Sequence, residues 1–282
     1  MLTLQKVNDY LLKQLFHITQ QPAEAQPNDV LLMEVGEDYS CVAHCNAASK
    51  VINEISYYTF TKGAFEEVYD IGQQAKSASG AFDKVVVCPA FPQALLVPDK
   101  FFTRDNNQSL LQTVYDVTGH TTMHDPVNIW HLYNVYAIPQ ALHQIHMEQF
   151  GPLTYLHAYT AALKNDNSIT EDHQITVHFN TTHFIVKVKK GQALLLMQTF
   201  SFQTPLDVVY VLLKICAEME LKQEETNIIL SGLIDEQSDL YKELYNYFIH
   251  LHFATITGPA VLQSEYPEHF FASIYNLAAC VL

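Results

Sequence analysis

The chain has 282 residues, of which 49% are hydrophobic and 16% are charged, so it contains enough apolar material for two modest cores in a globular protein. Its formal net charge of -15, with a pI near 5.2, opposes contact with nucleic-acid phosphates and anionic lipid. The densest basic cluster is Lys187, Lys189 and Lys190, and we predict neither nucleic-acid nor membrane binding.

The amino-terminal segment and the cysteines predict a cytoplasmic protein. Lys6, Asp9 and Lys13 interrupt the apolar residues of that segment, so it does not resemble a signal peptide or a membrane span. The five cysteines are an odd number without a CxxC pair, which is typical of reduced, buried thiols. Cys41 and Cys45 would lie about 13 Å apart in a strand, which is too far for a shared zinc ion.

Residues 1–20 predict a helical extension in front of the first domain. Apolar side chains recur there at helical spacing, and residues 22–28 resemble a linker because prolines and polar side chains dominate them. The apolar positions are Leu4, Val7, Leu11, Leu15 and Ile18.

The next segment predicts elements in the order β-β-β-α-β. β-Branched and aromatic residues alternate in 30–35, 39–45 and 50–60 between polar turns, which indicates three strands. Residues 64–76 have helical periodicity, and residues 84–88 form a short apolar run that is typical of a buried strand.

The second half of the chain repeats this order. Strands are predicted at 174–180, 183–190 and 193–200, followed by a helix that starts at Pro205 and by a strand at 226–232. The third strands end alike, in YYTF and MQTF, and both helices contain a Val-Tyr pair. We interpret the shared order as an internal duplication that gives two similar domains.

Two polar, turn-rich segments, 116–127 and 164–173, lie between these blocks, and the second is the predicted domain boundary. The first domain would span residues 1–165 and the second residues 166–282. The further predicted elements are a strand at 129–139, a helix at 139–149, a strand running into a helix at 153–164, a helix at 238–250, a strand at 252–255 and a helix at 267–279.

Three short motifs give the chain a family resemblance. They are Val-Pro-x-x-Phe-Phe at 97–102, Thr-Phe-x-x-x-Thr-Pro-x-Asp at 199–207 and Leu-Ser-Gly at 230–232. In this order they resemble the bacterial family called domain of unknown function 3822, from about residue 28 to the end. The resemblance implies an α/β, two-lobed actin-like ATPase fold, in which duplicated β-β-β-α-β-α units form mixed sheets covered by helices.

In the actin-like superfamily, ATP lies between the lobes, and two hairpin turns resembling Asp-x-Gly-x-x-x-Ser/Thr hold its phosphates and Mg²⁺. The resemblance places Glu34, Gly36 and Ser40 at these positions of the first turn. Glu37 and Asp38 would add two negative charges beside the phosphates, with a repulsion of about 1 kcal/mol per pair in water. The alternative is an acidic hairpin turn in which Gly36 adopts a positive φ.

The second turn departs further from the superfamily pattern. His178 stands at the position of the acid and Asn180 at that of the glycine, so no carboxylate is left for the metal. Thr181 and Thr182 can still donate hydrogen bonds.

The third superfamily element is a Gly-Gly pair that packs on adenosine, and it would fall at Ser231 and Gly232, where one glycine is present. With two of three elements damaged, we predict no cofactor, and Mg-ATP remains the alternative. No catalytic residue is assigned, because Asp207 and Asp235 are explained by a helix start and a loop. The 14 histidines are scattered without a compact signature, so we predict no metal site.

These observations lead to three hypotheses about function. The leading one is a non-catalytic actin-like protein that acts as a scaffold, through a protein partner or through self-association. The alternative is an ATP-binding protein, either an ATPase or an ATP-dependent phosphotransferase, that uses the cleft between the lobes. The third is a binding module for another anion or small ligand in the same cleft, because the turns keep N–H and hydroxyl donors.

Overall fold

The computed structural model describes residues 12–19, 26–79, 82–166, 173–256 and 262–282. In chain order its strands and α-helices are β1 (Lys13–Thr19), β2 (Asp29–Val35), β3 (Tyr39–Asn46), β4 (Val51–Thr59), α1 (Phe65–Ser79), β5 (Lys84–Pro89), β6 (Ala94–Pro98), α2 (Asn107–Gln112), β7 (His120–Val127), β8 (Leu132–Pro139), α3 (Gln140–Phe150), β9 (Thr154–Tyr155), α4 (Ala158–Lys164), β10 (His173–Phe179), β11 (His183–Lys190), β12 (Ala193–Ser201), α5 (Pro205–Glu218), β13 (Asn227–Gly232), α6 (Asp239–Tyr245), β14 (Leu251–Phe253) and α7 (Ala272–Val281).

The first sheet has the strand order β1-β4-β3-β2-β5-β9. β2, β3 and β4 form an antiparallel meander, and β5 and β9 extend the sheet in parallel with β2. Every residue of β2 and β3 is buried, because α1 and α7 pack against the sheet. Burial on both faces explains why β2 is almost continuously apolar instead of alternating.

The second sheet has the order β12-β11-β10-β13-β14, with two antiparallel pairings followed by two parallel ones. This is the order and direction of β4-β3-β2-β5-β9 in the first sheet. Its outer face packs against α5 and α6 in a core that includes Val177, Phe184, Val209, Leu230 and Phe248.

A third sheet, β6-β8-β7, is inserted in the first half of the chain and packs on α2 around Val97, Leu111 and Val135. The sequence predictions omitted β6. They also treated the region of β7 as turn-rich, which is wrong, because His120–Val127 is a strand. β7 lies at the edge of its sheet and is held by backbone pairing with β8, so its polar side chains are tolerated there.

The two lobes meet at helices α4 and α7. α7 ends the chain, yet its buried Leu277 and Ala278 belong to the core of the first sheet. α7 also packs against α4, where the Asn165 side-chain amide donates to the Asn276 backbone oxygen at 2.5 Å. The last helix, α7, therefore packs in the first lobe although it follows the second lobe in the chain.

The predicted helical extension is wrong within the described residues. Lys13–Thr19 is a strand that pairs antiparallel with β4, while residues 1–11 lie outside the described part of the chain. The free edge of β4 supplies backbone partners, and Phe16 packs against Tyr57 and Phe271. Tertiary pairing has thus overridden a helical spacing of apolar residues.

The other predicted elements are confirmed with small shifts of their ends, apart from α6. The helix expected at 238–250 stops at Tyr245, because residues 251–253 must be extended to pair with β13. The last predicted helix begins as a 3-10 turn at Glu268–Phe271 before α7.

Candidate functional site

The two hairpin turns singled out by the sequence lie opposite each other and are in direct contact. The Thr182 hydroxyl, in the turn between β10 and β11, donates to Asp38 Oδ2 at 2.9 Å in the turn between β2 and β3. His183 Nε2 lies 3.3 Å from Glu37 Oε2, and Lys62 Nζ is 2.5 Å from the same oxygen. Side-chain contacts therefore occupy the space between the turns.

Glu34 ends β2 and is buried beneath the first turn. Its side chain is 2% exposed, accepts a hydrogen bond from the Tyr39 hydroxyl at 2.6 Å, and is hydrogen-bonded to Ser273 of α7. Burial raises the pKa of the Glu34 carboxyl above its ordinary value. Ser40 is buried as well, and its hydroxyl donates to the Glu34 backbone oxygen at 2.9 Å. Both polar groups are engaged within the protein.

Gly36 makes room for an aromatic ring. A Cβ atom at this position would lie 2.1 Å from Tyr39 Cε1, so only glycine lets the ring cross the turn. Tyr39 in turn stacks on Tyr57, with ring centroids 5.5 Å apart. The positive φ expected for Gly36 is wrong, since the glycines with positive φ in the described residues do not include it. Glycine is required at position 36 because the Tyr39 ring lies close to its Cα atom, and not because of its backbone conformation.

The second turn carries a neutral histidine in place of an acid. His178 Nδ1 lies 3.0 Å from Ser231 Oγ, and Asn180 is also hydrogen-bonded to the imidazole. Burial lowers the pKa of His178 to about 4, so the ring is uncharged at neutral pH. The buried Thr181 hydroxyl has no hydrogen-bond partner within the described part of the chain.

Gly232 has a structural explanation that is separate from ligand binding. Its φ is +79°, and a Cβ would lie 2.0 Å from the Phe179 backbone oxygen, which is its neighbour across the β10–β13 pairing. Only glycine combines this conformation with this distance.

The two carboxylates considered as catalytic candidates at the mouth of the cleft are structural. Asp207 forms a capping box with Thr204 at the start of α5, and Asp235 accepts from backbone N–H groups at Gln237 and Ser238. Throughout the described ranges, no group of three or more His, Cys, Asp or Glu side chains is arranged to hold a metal ion.

A cavity of about 440 Å³ lies between the second sheet, α4 and α7. Sequence reasoning found its residues His178 and Ser231 but missed the rest of its polar lining, including Thr176, Lys187 and Asn276. A signal was present in β10, whose sequence HQITVHF alternates polar and apolar residues although the strand is central in its sheet.

Comparison with known families resolves the classification. The family described as "Protein of unknown function (DUF3822)" matches residues 23–251. The chain belongs to the DUF3822 family. No curated protein gives a sequence match to this DUF3822 member.

Solved structures show the fold of this DUF3822 protein. It is similar to a Bacteroides thetaiotaomicron protein with an actin-like ATPase fold and unknown function, at TM-score 0.69 and 13% identity, covering 80% of this chain and 91% of that one. It is also similar to PilM in a PilM–PilN type IV pilus biogenesis complex, at TM-score 0.55 and 11% identity, covering 92% and 98%. A third likeness is to the ethanolamine utilization protein EutJ from Carboxydothermus hydrogenoformans, at TM-score 0.50 and 8% identity, covering 93% and 92%.

At these identities the likeness concerns the fold alone. The DUF3822 chain has a two-lobed, actin-like α/β fold, as the family resemblance implied. Among its described helices, none has the length and apolar character needed to cross a membrane.

Proposed function

We propose that this DUF3822 protein is a non-catalytic actin-like scaffold that acts through contacts with another protein or with itself. The observation that carries the proposal is the contact between the two turns, where Thr182 bonds to Asp38 and His183 pairs with Glu37. In this arrangement protein side chains take the place that a nucleotide's phosphates need.

The residues at the turns do not suit Mg-ATP. Glu34 is buried and bonded to Tyr39, His178 stands where the second acid is expected, and Glu37 and Asp38 place negative charge beside the phosphate position. Phosphate binding favours free backbone N–H groups and positive charge. The Thr181 hydroxyl, which has no hydrogen-bond partner among the described residues, keeps the ATP-binding alternative testable.

The surface of the second lobe supports a role in contacts. Exposed apolar side chains lie on and next to the adjacent helices α5 and α6, and Tyr210 is 67% exposed. Exposed aromatic and large apolar side chains are enriched at interaction surfaces. The exposed residues are Leu206, Tyr210, Tyr245, Tyr247 and Ile249.

The proposal includes the organisation of the chain. We divide it into a first lobe, residues 1–165, and a second lobe, residues 166–282, with α7 reaching back to the first sheet. The matching order of the two sheets supports an origin by duplication. Free thiols at all five cysteines support a reducing compartment such as the cytoplasm.

Isothermal titration of the purified protein with ATP, with and without Mg²⁺, tests the absence of a nucleotide site. We expect no saturable binding up to about 1 mM, which corresponds to a free energy no more favourable than about -4 kcal/mol. A micromolar, Mg-dependent Kd that is lost in Glu34→Gln or Gly36→Val would contradict the proposal and favour an ATPase or phosphotransferase.

The contact role is tested by photo-crosslinking in cells from a crosslinking amino acid placed at position 210. We expect a defined adduct, with this chain or with one other protein. The same amino acid at exposed Lys214, one turn further along α5, is the control and should give less of that adduct. Equal, diffuse adducts from both positions would count against a contact surface here.

A further inference from the structure

The cavity between the second sheet and helices α4 and α7 is lined by several polar residues. In β10, Ile175, Val177 and Phe179 face the core beneath α5 and α6, while Thr176 and His178 line the cavity. β10 is the central strand of its sheet. Central strands covered on both faces are ordinarily apolar on both, so the polar face of β10 needs another explanation.

The strand register places these polar groups side by side. Thr176 pairs with Lys187 on β11, and His178 pairs with Ser231 on β13. Asn276 of α7 lines the opposite wall. Donors and acceptors from three strands and a helix thus converge on one space, which is the arrangement typical of small-molecule sites.

Lys187 provides the charge in this space. Its ammonium donates to Asp166 Oδ2 at 2.8 Å, and Asp166 Oδ1 accepts from Lys189 at 2.8 Å, so Lys187 shares this carboxylate with a second ammonium. Burial lowers the pKa of Lys187 although Asp166 acts in the opposite direction. The cation is therefore incompletely compensated, and an acceptor in the cavity would stabilise it.

The amount of negative charge that fits is limited. Asp166 lines the cavity beside Lys187, and Glu34 is hydrogen-bonded to Ser273, which also lines it. Groups with two or more negative charges, such as phosphate esters, would meet these carboxylates, and Lys187 is the one lysine or arginine among the described residues that line the cavity, since Lys189 is bonded to Asp166 outside this lining. A ligand with a single carboxylate would match the single positive charge of the Lys187 ammonium.

We propose that this cavity binds a small organic acid, with its carboxylate on Lys187 and its other groups between Thr176, Asn276 and the apolar residues Ile229 and Met197. The volume of about 440 Å³ lies within the range of small-molecule pockets. This site uses neither hairpin turn, so it goes beyond the scaffold proposal and does not depend on it.

The test uses 4-bromobenzoate as the probe and the neutral amide 4-bromobenzamide as its matched control. We expect the wild-type protein to bind the acid at least about tenfold more tightly than the amide in calorimetric titration. Bromine anomalous scattering from a soaked crystal should place the ligand between β10 and α7. No saturation by the acid up to about 10 mM, or equal affinity for both probes, would overturn the proposal.

Variants locate the binding. Lys187→Met should weaken the affinity for the acid at least about tenfold and leave the affinity for the amide unchanged, whereas Lys190→Met, at the exposed end of the same strand, should change neither. Should Lys187→Met fail to fold, Ala162→Phe on the cavity wall should block both probes. Unchanged binding of the acid in the folded variants would place the probe elsewhere and refute the site.

Discussion

Near the end of β2 the Glu34 carboxyl is buried among hydroxyl groups. Glu34 is bonded to Tyr39 and Ser273 instead of facing an open cleft, and the Tyr39 ring lies over Gly36. A buried carboxyl that receives hydroxyl hydrogen bonds contributes to packing between β2, the first turn and α7. These contacts explain the acidic residue at position 34 structurally, without a bound nucleotide.

The raised pKa of Glu34 predicts a pH-dependent stability. Because burial raises the folded-state pKa above the ordinary value of 4.5, the folded protein holds this proton more tightly than the unfolded chain does. The stability contributed by Glu34 is present below the ordinary pKa and is lost as pH rises through the folded-state pKa. Glu34→Gln removes the ionisation and keeps an oxygen for Tyr39, so its stability relative to wild type should increase with pH above 4.5.

Urea unfolding of both proteins between about pH 4 and pH 9 measures this difference. Glu66→Gln, which changes an exposed carboxylate in the first turn of α1, is the control and should give a nearly constant difference. A constant difference for Glu34→Gln as well would show that Glu34 is not buried in solution.

At the scale of elements, α7 contributes buried side chains to the core of the first lobe, although it follows the second lobe in the chain. Leu277 and Ile274 are buried in the core of the first sheet. Leu277→Ala should lower the free energy of unfolding by about 2–5 kcal/mol, because it removes buried methyl groups and leaves a cavity. Denaturant unfolding measures this value.

The control for this change is Ala279→Ser, at an exposed position of the same helix, which should cost less than about 0.5 kcal/mol. A loss below about 1 kcal/mol for Leu277→Ala would mean that the packing of α7 on the first sheet is weak.

The sequence predicted some strands correctly and missed others. β2 and β5 were predicted from apolar runs between turns, and β10 and β11 from β-branched and aromatic residues that alternate with polar ones. β1 was missed because Leu15 and Ile18 also fit a helical period, and β7 because its edge position allows polar residues. In both cases the backbone pairing of a neighbouring strand determines the structure, and for β1 that neighbour, β4, is distant in sequence.

At the scale of the molecule, contacts join the lobes at several places. The Tyr159 hydroxyl of α4 and the Thr199 hydroxyl of β12 are 2.6 Å apart, and Lys189 Nζ of β11 lies 5.4 Å from the centre of the Trp130 ring. We expect the lobes to unfold together, so that fluorescence from Trp130, the one tryptophan of the chain, and far-UV circular dichroism give coincident urea transitions.

Tyr159→Phe removes one of these contacts and should lower the free energy of unfolding by about 0.5–1.5 kcal/mol. The urea midpoints of both transitions should therefore fall together. Two resolved transitions in the wild-type protein, or a shift of one probe alone, would show that the lobes unfold independently.

The candidate nucleotide site was predictable only in part. Motif positions brought Glu34, Gly36 and Ser40 to one turn and Asn180 and Thr182 to the other, because a hairpin turn is a local structure. The contact from Thr182 to Asp38 spans 144 residues and depends on how the lobes are placed. The hydrogen bond between Glu34 and Ser273 depends on the packing of α7 against the first sheet.

The sequence by itself determined the repeated β-β-β-α-β order, since apolar periodicity and turn residues act over a few neighbouring positions. Its three short motifs carried the family resemblance, and that resemblance implied the fold. Tertiary structure alone decided that the two turns touch, that α7 packs on the first sheet, and that Lys187, Thr176 and Asn276 share a cavity. These features arise from contacts between distant segments, whose geometry follows from the packing of whole sheets and helices.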